Sequence, residues 1–322
     1  MIFYLYLWIL IMSSFLALCS FNWFLLWLML EVNMMTFIPI MNYKLMLNSN
    51  SMIKYYIIQV FASSLFLIAM MTNNFMEFSQ MIISIIIMIA MLIKLGSAPF
   101  HIWFPQITEG LMWFSIMMLL TWQKIIPMYI LSFNNMSNFL IIIILMSLMI
   151  GPLGGFTQIS LRKILVYSSI THMGWMLSII LMMKNFWIYY LLLYSMMTII
   201  IIIQLMKYNI NFINQINLMN SSFLTKFSLL ISLLSLGGLP PLLGFFPKLM
   251  VIYYMNMYPT MLFPLILSSL INLYFYLRIL YPIFLKNMIN KKNNKINNFI
   301  SMISISINST IIFFLIPYMI FL

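Results

Sequence analysis

The chain has 322 residues, of which 65% are hydrophobic and only 6% charged. A soluble domain carries about a quarter charged residues, so this composition excludes a water-soluble globular fold and indicates a polytopic membrane protein. The formal net charge of +12 is spread over many short segments, which argues against nucleic acid as a partner.

Apolar runs of about 20 residues, without alternation of polar and apolar positions, predict membrane helices and exclude a barrel. The first predicted span, 2–19, has no basic leader and reads as a helix, not as a cleaved signal peptide. The second, 22–41, carries Glu31 about midway along WFLLWLMLEVNMMTFIPI. The third covers 54–72. The fourth, 79–106, is longer than a bilayer requires, holds Lys94 and His101, and is interrupted by Leu95-Gly96-Ser97-Ala98-Pro99. The fifth, 110–131, contains Lys124. Spans 137–157, 161–182 (with His172) and 186–206 follow. The ninth, 223–256, is again overlong, with Gly237, Gly238, Pro240 and Pro241 ahead of Lys248. Spans 260–282 and 299–321 end the series.

Lys and Arg in the connections sort by side. Lys44, Lys54, Arg162, Lys163, Lys207, Lys226 and the run 286–295 fall on the N-terminal side, and only Lys184 opposes them. The excess predicts an N-terminus in the cytoplasm or matrix and, with eleven spans, a C-terminus outside. The stretch KNMINKKNNKINN at 286–298 reads as a solvated connector or as a contact for anionic head groups.

The two overlong spans repeat each other. Leu95-Gly96-x-x-Pro99 followed by Phe104-Pro105 matches Leu236-Gly237-x-x-Pro240 followed by Phe246-Pro247, the second pair falling one residue later. Gln123–Pro127 and Leu277–Pro282 close the next span in each half. Pairing spans 1–5 with 6–10 makes the halves enter the membrane from opposite sides, because five is odd. Paired broken helices in inverted repeats mark ion and solute transport sites. The predicted fold class is therefore an all-α polytopic membrane protein of about 11 transmembrane helices. It forms a single membrane domain, 1–322, of two inverted five-helix repeats with discontinuous helices (1–131 and 137–282) and a C-terminal transmembrane helix at 299–321.

Of the three acidic residues, only Glu31 falls at membrane depth; Glu77 and Glu109 lie at helix ends. Lys94 comes 14 residues after Gln80, about 21 Å into its span at about 1.5 Å per residue. A charge near the centre of a lipid-spanning helix costs about 2.5–3.5 kcal/mol on insertion scales. Glu31 is the natural counter-ion of Lys94 or Lys124, and carbonyls freed at a helix break can solvate Lys94 and Lys248. Lysines out of water hold their protons less tightly, and a nearby carboxylate tightens the hold again, so such a row suits proton handling. The same charges can instead lock the bundle together. His101 and His172 read equally as proton relays or as hydrogen-bonded packing residues. With one cysteine, two histidines and no nucleotide or metal motif, no cofactor is expected in this chain.

The favoured residues (Ile, Met, Phe, Leu, Tyr, Asn), with 36 Met and only 9 Gly, point to an AT-rich organellar gene. The stretches 27–40, 92–105, 122–127, 160–176 and 235–248 together resemble the subunit 2 family of NADH dehydrogenase, antiporter-like membrane subunits of respiratory complex I. The resemblance implies a mitochondrial inner-membrane protein; with the sorting of basic residues, the N-terminus would then face the matrix and the C-terminus the intermembrane space. It implies a proton path through Glu31, Lys94, Lys124 and Lys248. Flavin, iron–sulfur and quinone chemistry would then belong to other subunits, and the partners would be neighbouring membrane-arm subunits and lipids, cardiolipin among them. A free cation/proton antiporter, a different antiporter-like subunit and a purely structural scaffold are the competing readings.

Overall fold

A computed structural model describes residues 2–42, 46–75, 80–134, 137–182, 185–216 and 223–287, with 302, 305, 306 and 308. Apart from those four positions, the predicted span 299–321 lies outside the described residues, as do Lys44, Glu77, Lys184 and nearly all of the basic run 286–298.

The described residues fold as helices, because a backbone in lipid must satisfy its own hydrogen bonds. In chain order they are α1 (Ile2–Cys19), α2 (Trp23–Met41), α3 (Met46–Phe75), α4 (Gln80–Leu95), α5 (Trp103–Gly110) and α6 (Trp113–Leu120). A 3₁₀ turn, Trp122–Lys124, leads into α7 (Ile125–Leu131), followed by α8 (Ser137–Phe156), α9 (Leu161–Leu181) and α10 (Trp187–Lys207). The last are α11 (Ile213–Ile216), α12 (Phe223–Gly237), α13 (Phe245–Tyr254) and α14 (Pro259–Asn287). Eight stretches among the described residues are long and apolar enough to cross a membrane, and Gln80–Leu95 and Leu224–Gly237 are shorter apolar helices.

Two of the predicted spans are each two helices. The span 79–106 divides into α4 and part of α5, and 223–256 into α12 and α13, with turns at 96–102 and 238–244. Both stops share one geometry. Gly96 N–H bonds the Ile93 carbonyl and Ser97 N–H the Leu92 carbonyl; Gly238 N–H bonds Ser235 and Leu239 N–H bonds Leu234. This is the paired closure in which the residue after the helix turns left-handed, and Gly96 and Gly238 have φ of 66° and 80°. The structure thereby corrects the register of the repeat. Gly238, not Gly237, is the counterpart of Gly96, and Pro241 is the counterpart of Pro99. Phe104-Pro105 then matches Phe246-Pro247 at the same offset of 142, and the one-residue discrepancy vanishes. Gly237 is the last residue of α12 and not part of the break.

The chain forms two compact units, Met1–Ser147 with Met183–Asn185, and Leu148–Met182 with Phe186–Leu322; the division falls inside α8. In the first, α2 packs between α1 and α3, and α4 lies against α3 and α7. Its outer faces stay apolar: Ile2, Tyr4, Trp8 and Phe15 are exposed on α1. In the second, α9 is buried on nearly all sides, surrounded by α10, α13 and α14. Its hydroxyls do not go unpaired: Ser168, Ser169, Thr171 and Ser178 each donate to the carbonyl three residues back. Asn272 on α14 donates to Thr171 Oγ1 at 2.6 Å, tying α14 to α9.

Candidate proton site

In the first unit Lys94 occupies the last turn of α4 and is buried. The helix C-terminus carries partial negative charge, so a cation is favoured there. Glu31 sits half-buried on α2 and attracts Lys94 electrostatically.

Lys124 is buried as well, at 2% exposure. It ends the 3₁₀ turn, where Lys124 N–H bonds the Thr121 carbonyl instead of a residue four back. The span predicted at 110–131 is therefore irregular at its middle. Pro127 explains this: it has no N–H for the Gln123 carbonyl and its ring would crowd that carbonyl in an uninterrupted helix. Within the first turn of α7 the same proline is tolerated. The Lys124 ammonium lies 5.9 Å from the centroid of the Phe104 ring.

Lys94 and Lys124 line one small cavity of ≈ 20 Å³, together with Asn33, Tyr55, Gln59 and Gln123. A cavity needs about 10–15 Å³ in this measure, and two to four polar partners, to hold a water. The space between the lysines thus accommodates about one water. The amide groups around it were not singled out from sequence. Gln123 Nε2 donates to Asn33 Oδ1 at 2.8 Å, and Gln59 Nε2 donates to the Lys94 carbonyl at 3.4 Å. Their signal was present: an amide inside an apolar span must find a partner or bear a desolvation cost.

The second unit contains no acidic residue, since Glu31, Glu77 and Glu109 all belong to the first. Lys248, on α13, finds carbonyl oxygens instead. Its Nζ donates to Gly237 at 2.7 Å and to Leu236 at 3.2 Å, the last carbonyls of α12. The Trp175 ring lies on another side, 5.8 Å away. The break therefore supplies the negative end that a carboxylate would otherwise provide. At the equivalent stop in the first unit the Gln59 amide occupies that role, bonding the Lys94 carbonyl.

The histidines differ from each other. His101 is half-buried in the turn after α4, its Nδ1 3.2 Å from the Pro99 carbonyl. His172 is buried on α9, with Nδ1 2.9 Å from the Tyr190 hydroxyl and its ring against Tyr194.

A family described as NADH:quinone oxidoreductase/Mrp antiporter, transmembrane, matches residues 20–273. The chain is 41% identical over 314 residues to NADH-ubiquinone oxidoreductase chain 2 of Anopheles gambiae, covering 93% of this chain and 92% of the relative. It is 42% identical to the same-named protein of Rhipicephalus sanguineus over 312 residues, 96% and 98% of the two chains. A chain of respiratory complex I from Thermus thermophilus, solved with bound aureothin, shares the fold at a TM-score of 0.83 and 20% identity. The match covers 95% of this chain and 75% of that one.

Proposed function

From the premise that the chain belongs to the NADH-ubiquinone oxidoreductase chain 2 family, within the NADH:quinone oxidoreductase/Mrp antiporter transmembrane proteins, we propose how it moves protons. It is a multi-pass subunit of the mitochondrial inner membrane, working in NADH:ubiquinone oxidoreductase beside other membrane-arm subunits. Glu31, Lys94, Lys124 and Lys248 carry the protons, coupled to redox steps in other subunits. The N-terminus faces the matrix and the C-terminus the intermembrane space. The chain itself holds no cofactor, having one cysteine and two histidines to offer.

The observation that carries this reading is the pair of buried lysines on one water-sized polar cavity, with Glu31 acting on the first of them. Two ammonium groups on one cavity shielded from bulk water repel each other, so a proton on one disfavours a proton on the other. When redox energy released elsewhere weakens the hold of Glu31 on Lys94, the proton is driven towards Lys124. Lys248 takes part through the last carbonyls of α12, which favour its charged form and can be withdrawn by a movement of the break.

Two measurements test the proposal. On native gels after mild detergent extraction, the chain is expected only in a heavy band that stains for NADH oxidation; a light, unstained band containing it alone would favour a free antiporter. Lys248→Met is expected to lower the protons moved per NADH oxidised in sealed vesicles, without loss of the heavy band. An unchanged proton yield in that variant removes Lys248 from the path.

A further inference from the structure

Asn33 follows Glu31 by two residues on α2, so the two side chains leave the helix about 200° apart and do not share a face. Glu31 acts on Lys94, whereas Asn33 is 3% exposed and accepts the 2.8 Å bond from Gln123. Gln123 immediately precedes Lys124 in the 3₁₀ turn. A 3₁₀ stretch within a longer helical segment marks a hinge or a strained site. Here the turn lacks a regular helical ladder, so its position depends on what holds it from outside.

We infer that the Asn33–Gln123 hydrogen bond is a positioning clamp that lets the Glu31-bearing helix set the place of Lys124. The inference rests on the proton-path reading and adds a device to it. Any shift of α2 that answers a change at Glu31 is carried through the amide pair to the turn and hence to the lysine. The pair also borders the cavity between Lys94 and Lys124, so the same shift changes the room for water there. Neither amide gains or loses a proton at physiological pH; they are positioning residues and not members of the relay.

The test compares four variants in the assembled respiratory complex, reading NADH oxidation, amount on native gels and protons moved per NADH in sealed vesicles. Gln123→Met and Asn33→Leu remove the bond at nearly constant volume. The exchanged pair, Asn33→Gln with Gln123→Asn, keeps it with the partners reversed. Lys124→Met is the reference. The expected result is normal assembly with a reduced proton yield in both single variants, less severe than in Lys124→Met, and recovery in the exchanged pair. Normal yield in the single variants overturns the clamp, as does an exchanged pair no better than they are. Loss of assembly in the single variants, with the exchanged pair assembling, makes the bond structural and also overturns it. A deficient Lys124→Met beside a normal Gln123→Met sinks the clamp alone, whereas a normal Lys124→Met sinks the proton path beneath it.

Discussion

Lys124→Met is expected to give a complex that assembles and oxidises NADH but loses the proton movement that depends on this chain. Methionine matches the reach of the lysine stem and fills the same space beside Phe104, so packing is kept. It also removes a charge that is 2% exposed without adding volume to the bundle. A deficit in pumping beside normal assembly on native gels therefore cannot be ascribed to a damaged bundle. A positioned proton-transfer group contributes about 10²–10⁴-fold to its step. Loss on that scale shuts this route, and the protons moved per NADH in sealed vesicles fall by the share the chain supplies. Unchanged stoichiometry would exclude Lys124 from the path. Failure to assemble would instead support the scaffold reading, in which the charge locks the bundle.

Much of this was legible in the residues because lipid removes the need for a subtle pattern. α1 is apolar on its exposed side as well as its buried one, so hydropathy alone finds it within a residue, and the predicted 2–19 is the observed Ile2–Cys19. Where polar residues open a helix the reading slips: α3 begins at Met46, eight residues before the predicted 54, because LNSNS looks like a loop. The break at Trp122–Lys124 contains no glycine; its signal is Pro127, acting on the carbonyl four residues back. The lysines at membrane depth were visible as expensive residues, and all three are buried. What sequence could not supply was which group faces which. The attraction of Glu31 for Lys94, the carbonyl partners of Lys248 and the Asn33–Gln123 bond all join residues from different helices. Helix spacing says nothing about such pairs.

Three glycines around the second break make the last prediction, since alanine is expected to have a different outcome at each. Gly237 closes α12 with helical backbone, and an added Cβ would meet only ordinary contacts, the nearest at 3.5 Å on Tyr276. Gly237→Ala is expected to be neutral or stabilising by about 0.4–1 kcal/mol through the unfolded chain. At Gly238 the φ of 80° opposes any side chain, and the Cβ would press on Lys248 at 2.8 Å. The left-handed conformation costs an L-residue roughly 1–2 kcal/mol, and the displaced ammonium would leave the α12 carbonyls, so a pumping defect is expected before an assembly defect. Gly244 is the severe case. Its Cβ would land on the Ser235 carbonyl oxygen, the backbone group that accepts the Gly238 N–H. Backbone cannot rotate aside as a side chain can, so relief requires parting the end of α12 from the start of α13. Overpacking of this kind costs about 3 kcal/mol or more, and Gly244→Ala is expected to remove the chain from the heavy native-gel band. Equal tolerance at Gly237 and Gly244 would show that the turn 238–244 does not close as described. Equal intolerance at Gly237 and Gly238 would restore the register in which Gly237 is the counterpart of Gly96.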